Sequence, residues 1–577
     1  MRILAGALSD CVHVAGVLHF LALAQRLGHE TRFTGPATDA ETWAEIAREF
    51  QPDVIGVSYR LTPETGRQAL ADFWAVMRAA GLADRTFIFG GTPPVAAVAR
   101  EMGIFRAIFD GSEPTAAVIR YLRDEGQPSD VVPIPPQTAV ERIAWKAPYP
   151  ILRHHFGIPA RTIEPTISGI AHIAEAGILD VISLGPDQDA QEHFFHADLQ
   201  SPKRAGAGGV PLRSEADLER LHAAAQRGNF PLMRSYSGTS DLLRYAEVLT
   251  RTIRNAWCAT SLFWFNAMDG RGPLSLAASI RDHLALMAWH GARDIPVEGN
   301  EPYHWGMRDA PDVISVAASY IYAYNARKAG VRDYITTYML ESPPQLSNRM
   351  DLAKALAQIR VAETIFLQGD VPAAGDVPAA GDSPAAGDGP ADGNGPADGD
   401  GTRERRIWRQ TRTGLLSYPV DTARARAHLA ESIYLQMALD PAIVHVVGYC
   451  EADHAATADE VIESATMAQQ VIDTAMTGQP DMTRDPLVQE RTEELVSEAM
   501  VLVDAIRQLS GAQDPLSDPP TLARAVGEGL LDSPQLQRNP FARGALRTRA
   551  IDGAIVAVDD AGRPLSERDR IRGLGLQ

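Results

Sequence analysis

Cysteine is scarce in this chain: Cys11, Cys258 and Cys450 are the whole complement. Odd in number and far apart, they exclude a disulfide framework and a Cys-x-x-Cys metal motif, and they suit a reducing compartment. Long basic runs are missing too, and a formal net charge of -19 leaves no clustered cationic surface for a nucleic-acid backbone. No apolar stretch reaches the ~18 residues a membrane-spanning helix needs. The first residues enter a strand-like run without the basic, apolar and small-residue succession of a signal peptide. A soluble, cytoplasmic protein with neither nucleic-acid nor membrane partners is expected. Also absent is Gly-x-Gly-x-x-Gly after the first strand-like run, the mark of a dinucleotide-binding unit.

What the chain does have is length and an ordinary core composition: 577 residues, 45% hydrophobic and 22% charged, enough for several compact units. From residue 1 to about 125, short apolar runs (Ile3 to Ala7, Asp53 to Ser58, Thr86 to Phe89, Ala107 to Phe109) alternate with amphipathic segments. This alternation predicts βαβ units and a doubly wound parallel sheet. Small or polar residues close the strand-like runs, at Ser58, Gly90-Gly91-Thr92 and Asp110-Gly111-Ser112. Open α/β sheets hold ligands at that end of their strands. The loop after the first run carries Asp10, His13 and Gly16. Asp10 is placed to orient one ring nitrogen of His13 and leave the other for a metal, or else to cap the following helix.

These residues resemble the cobalamin-binding domains of mutases and methionine synthase. Asp-x-His-x-x-Gly of that family matches Asp10, His13 and Gly16, Ser-x-Leu matches Ser58 and Leu61, and Gly-Gly matches Gly90-Gly91. The resemblance implies that His13 is the metal ligand, replacing the cofactor's own dimethylbenzimidazole on cobalt. It implies that the displaced tail lies in a crevice formed with Gly16, Ser58, Leu61, Gly90, Gly91 and Gly111. One extra residue stands between Asp10 and His13, and one before Leu61.

Residues 126–160, rich in proline, read as a connector. Strand-like and helical stretches over 161–368 and 403–577 predict a (β/α)8 TIM-type barrel with its site at the strand carboxyl ends. Between them, 369–402 repeats Gly-Asp-Val-Pro-Ala-Ala with variations. That composition offers too little apolar surface to offset ordering entropy and predicts a disordered acidic insert.

The larger part resembles the catalytic chain of glutamate mutase (methylaspartate mutase). The matching stretches are Gln200 to Gly209, Phe230 to Asp241, Gly299 to Tyr303 and Leu522 to Pro534. The resemblance implies an adenosylcobalamin-dependent carbon-skeleton isomerase, with Arg204 and Arg234 gripping the carboxylates of an amino-acid-like substrate, as bidentate guanidinium groups do well. The family's third arginine has no counterpart, and its glutamate-and-tyrosine stretch falls on Phe263 to Gly270, which keeps neither. Glu301 and Tyr236 are therefore the candidate catalytic groups, with Glu298, His304 and Asp269 as lesser ones. Glu451-Ala452-Asp453-His454 looks metal-like but also reads as a helix start. Corrinoid-dependent methyl transfer and a non-catalytic cobalamin-binding role stay open, and a homodimer is compatible with the sequence.

Overall fold

The computed structural model describes residues 1–130, 133–369 and 404–576. Two compact units divide the chain, the first built mainly on Met1–Ile134 and the second beginning at Pro135.

In the first unit, β1 (Arg2–Ala7), β2 (Glu30–Phe33), β3 (Val54–Tyr59), β4 (Thr86–Gly91) and β5 (Ala107–Phe109) form one parallel sheet in the order β2-β1-β3-β4-β5. Helices cover both faces, so the central strands are apolar nearly throughout rather than alternating. Leu4, Ile55, Val57, Phe87 and Phe89 pack with Trp43, Leu70, Phe73 and Met77 from the helices. The strand order reverses between β1 and β3, and the loops after them open a crevice at their carboxyl ends.

The second unit is an eight-stranded, all-parallel sheet: β6 (Ile151–Phe156), β7 (Val181–Leu184), β8 (Leu232–Ser235), β9 (Cys258–Thr260), β10 (Val297–Gly299), β11 (Asp333–Met339), β12 (Arg406–Arg412) and β13 (Ile443–His445). Each strand pairs with its chain neighbour except β8 with β9, and β13 returns to β6. The last seam, β8 against β9, is bridged where the Ala256 N–H donates to Met233 O at 2.9 Å, so the barrel is nearly closed. A hairpin of β14 (Thr548–Ile551) and β15 (Ala554–Ala557) lies near the end of the chain.

Inward residues fall in layers because side chains alternate along each strand. Ile151, Val181, Leu232, Ile335 and Ile443 form an apolar floor at the amino-terminal end, closed by Ala139 and Ile143 of the helix Ala139–Lys146. This corrects the reading of 126–160 as a connector: it contains the floor helix and the whole first barrel strand. Arg153, His154 and His155 hid that strand, since a run of polar, basic side chains does not read as buried β structure. β9 ends at Thr260 although the apolar run continues to Phe265, because Ser261 and Phe263 turn onto the Glu301 carboxylate. Nearly all of the insert read at 369–402 lies outside the described residues. Among the described residues, no helix is long and apolar enough to cross a membrane.

Candidate functional site

At the carboxyl end of β1, β3 and β4 lies a crevice of about 570 Å³. Its walls include His13, Gly16, Phe20, Ser58, Gly90, Gly91 and Gly111. The glycines account for its depth. A β-carbon at Gly16 or Gly90 would meet nothing within 4 Å, so a side chain there would project into open space. Gly111 has φ +87, a left-handed conformation that favours glycine. The slot is mostly apolar, with the exposed imidazole of His13 at its rim. A flat aromatic group attached to a metal macrocycle fits such a slot, and an accessible imidazole beside it fits a cobalt ligand.

Asp10 is not joined to His13. Its carboxylate accepts the Tyr59 hydroxyl at 3.0 Å, and that hydroxyl also meets Thr65 Oγ1 at 2.8 Å. Burial, and after it the Asp10 carboxylate, raise the Tyr59 pKa, while the Thr65 contact lowers it. His13 Nδ1 instead stands 4.0 Å from Cys11 Sγ. The extra residue after Asp10 lets the loop turn the carboxylate away. Nor does Asp10 cap the next helix, whose N-cap is Val14, with no side-chain hydrogen bond. Leu61 is exposed and outside the crevice lining, where Arg60 appears instead, because the extra residue in that motif shifts the register.

Above the barrel floor sits a polar layer centred on Glu298 of β10. Its Oε2 accepts from Arg153 Nη1 at 2.8 Å and Trp257 Nε1 at 2.5 Å, and lies 3.3 Å from Arg234 Nη1. Its Oε1 accepts from Gln410 at 2.9 Å and Thr337 at 3.3 Å. Burial alone would raise the Glu298 pKa, but the pull of Arg153 and Arg234, with the hydrogen bonds, overrides it and holds the group at about 2. Burial and repulsion from Arg234 bring Arg153 down to about 10 against the pull of Glu298.

Further toward the carboxyl ends come His155 of β6, Tyr236 just after β8, Arg412 of β12 and His445 of β13. The Tyr236 hydroxyl is 3.2 Å from His155 Nε2, and the His155 and His445 rings meet edge-on at 4.6 Å. Arg153 Nη2 reaches the same His155 nitrogen at 3.2 Å. A guanidinium only donates, so Nε2 is the acceptor and Nδ1 carries the proton. Burial first, then Arg153 and Arg412, push both histidines well below their ordinary pKa, so both are neutral. Arg412 is 7% exposed, its guanidinium 5.5 Å from the Tyr303 ring centre. Among the described residues it makes no ion pair, and its Nε has no hydrogen-bond partner.

Of the residues singled out from sequence, Arg234 is fully buried against Glu298, and Tyr236 is in the histidine cluster. Arg204 is partly exposed and paired with Asp189 at 3.1 Å and Glu192 at 3.2 Å. Glu301 is buried; one oxygen accepts from Ser261 Oγ at 2.6 Å and the Phe263 N–H at 3.1 Å, and the other has no partner. Burial raises its pKa against those hydrogen bonds. Asp269 accepts backbone N–H groups of its own turn and pairs with Arg308 at 3.5 Å. His304 stacks on Tyr303 with ring centres 4.6 Å apart. Sequence reasoning missed Arg153, His155, Arg412 and His445. The signal available was arginine or histidine at alternate positions within short β-like runs.

None of the curated proteins matches the chain. Among solved structures, the radical S-adenosylmethionine methyltransferase TsrM from Kitasatospora setae gives a TM-score of 0.18 at 12% identity, over 63% of this chain and 71% of that one. The cobalamin-dependent S-adenosylmethionine radical enzyme OxsB, with aqua-cobalamin bound, gives 0.18 at 11% identity, over 82% of this chain and 56% of that one. Superpositions this weak assign the chain no reaction. The resemblance to glutamate mutase finds no counterpart among these matches. Residues 1–119, in contrast, match the B12 binding domain family, and with the crevice at the β1–β3 reversal this part of the chain is a cobalamin-binding domain.

Proposed function

We propose that the chain is an adenosylcobalamin-dependent carbon-skeleton isomerase, whose barrel is of the (β/α)8 TIM type and takes a small carboxylate-bearing, amino-acid-like substrate. The observation that carries the substrate class is Arg412. A buried guanidinium that makes no ion pair is costly to leave alone; the more distant Glu451 carboxylate feels its pull, and at the carboxyl end of a barrel strand it is placed to receive a substrate carboxylate.

Bound adenosylcobalamin would supply the radical chemistry, with His13 holding the cobalt and Gly16, Gly90 and Gly111 leaving room for the displaced tail. The barrel's own residues bind and orient. Arg412 fixes the substrate carboxylate, and Tyr303 lies against its guanidinium. Tyr236 presents a hydroxyl steadied by neutral His155. Glu301, its pKa raised by burial, can hold a proton on its unpartnered oxygen. Arg234 and Arg153 act through Glu298 as positioning residues. Arg204 would contact substrate only by leaving Asp189 and Glu192.

Of the three cysteines only two belong to the second unit, Cys258 in β9 and Cys450 beyond β13, on separate elements. A chain that needed an iron–sulfur cluster would bring several thiolates together, and this separation favours adenosylcobalamin as the radical source. The test is electron paramagnetic resonance of the full chain with adenosylcobalamin and a panel of amino and carboxylic acids. A substrate-dependent radical signal that Arg412→Ala removes is expected. No signal with any acid, or methyl transfer from methylcobalamin, would overturn the reading.

A further inference from the structure

Beyond β13 the chain makes a tight turn in which the Asp453 and His454 N–H groups both donate to Cys450 O, at 2.9 and 3.0 Å. The turn brings Cys450 Sγ, His454 and Glu460 together, one ligand atom from each lying within 4.8 Å of the others. The helix Ala458–Met476 begins after this run, so Asp453 and His454 are loop residues, not the helix start expected from sequence.

The two faces of the His454 ring are engaged differently. Nδ1 is 2.8 Å from Asp453 Oδ2, and Nε2 is 2.9 Å from Glu460 Oε1. A carboxylate on one imidazole nitrogen that aims the other at a shared point is the usual outer-shell arrangement of a metal-binding histidine. Glu460 Oε2 accepts the Thr457 N–H and hydroxyl, each at 2.8 Å, and also lies 3.1 Å from His454 Nε2, whereas Oε1 makes the shorter contact with that nitrogen. One carboxylate oxygen thus closes the helix start and the other is available to an ion. A further nitrogen approaches the same turn. His154 Nε2, on β6, is buried without a hydrogen-bond partner. A β-carbon on Gly448 would sit 3.1 Å from it and 3.4 Å from Cys450 Sγ.

We propose that Cys450, His454 and Glu460 bind a divalent zinc-type ion at the carboxyl-terminal face of the barrel, with Asp453 orienting His454. Thiolate, imidazole and carboxylate together suit zinc better than magnesium or calcium, which take oxygen ligands. Ligand bonds of about 2.0–2.3 Å place tetrahedral ligand atoms roughly 3.3–3.8 Å apart, so His454 Nε2 and Glu460 Oε1, now 2.9 Å apart, open slightly and any longer separation, at most 4.8 Å, closes by up to about 1 Å. Binding displaces the protons of the Cys450 thiol and of the His454 Nε2 contact with Glu460. Three protein ligands leave a fourth position, for water or for His154.

The experiment uses the full chain, free of tags and cobalamin, stripped with EDTA and titrated with Zn2+ and separately with Co2+. The parent should take up one Zn2+ per chain, and its Co2+ form should show a thiolate-to-metal charge-transfer band. Cys450→Ser should abolish that band. His454→Gln, at a half-exposed position that does not threaten folding, should lower Zn2+ affinity at least tenfold while the metal-free melting temperature stays that of the parent. Asp453→Asn should cost about 10–100-fold. No Zn2+ uptake by the stripped parent, or parent-like affinity in both Cys450→Ser and His454→Gln, would overturn the proposal.

Discussion

Tyr59 donates its hydroxyl to Asp10 at 3.0 Å, from the face of β3 that packs in the core. The carboxylate that the motif resemblance pairs with the histidine is thereby tied to β3. Asp10 therefore shapes the loop and does not orient the His13 ring.

Asp10→Ala should accordingly leave the spectrum of bound cobalamin like that of the parent, at a stability cost near that of one hydrogen bond, about 1 kcal/mol. Visible spectra and urea midpoints check both halves. If Asp10→Ala loses the histidine-ligated spectrum, the carboxylate moves to His13 when the cofactor binds.

Gly90→Val tests the crevice. The added side chain meets open space in the free protein, so the melting temperature should hold. Cobalamin affinity should fall by about 1–3 kcal/mol, the usual range for overpacking, read by equilibrium titration.

Glu298→Ala leaves Arg153 and Arg234 facing each other in the barrel, and should destabilise the second unit by about 3–5 kcal/mol. The pH dependence has a definite sign. With its pKa depressed from 4.5 to about 2, the carboxylate contributes stability that is complete above pH 4.5 and is lost as pH falls through 2. Urea midpoints between pH 2.5 and 6 should show that slope in the parent and a weaker one in Glu298→Gln.

Arg412→Met separates stability from function. Replacing an unpaired buried cation with an apolar side chain should raise the melting temperature of the ligand-free protein. Substrate affinity should fall by about 1.5–3 kcal/mol, the value of a charge-assisted hydrogen bond. A lowered melting temperature would show that the guanidinium has an internal partner.

Tyr236→Phe removes the hydroxyl that meets His155. It should change stability by no more than about 1 kcal/mol and lower turnover by about tenfold or more, as loss of a proton-holding group does.

The first unit was largely legible in its sequence. Its strands are apolar runs, and Gly16, Ser58, Gly90, Gly91 and Gly111 stand where strands end. Leu61 and the role of Asp10 were not legible, because a single extra residue in each motif redirects side chains without changing the pattern. In the barrel, the helices Thr422–Gln436 and Pro486–Arg507 show plainly in the sequence. The strands Ile151–Phe156 and Arg406–Arg412 do not, since Arg153, His155, Gln410 and Arg412 point into the interior. A barrel that buries charge to build a site breaks the hydropathy rule at the strands carrying that site.

On the proposed function, the crevice beside His13 holds cobalamin through this imidazole. The most direct measurement is the visible spectrum of adenosylcobalamin titrated into the full chain and into His13→Ala at equal concentrations. Saturable binding by the parent with the spectrum of a histidine-ligated cobalt is expected, and weaker binding with a different spectrum in the variant. Identical spectra and affinities for the two proteins would contradict it.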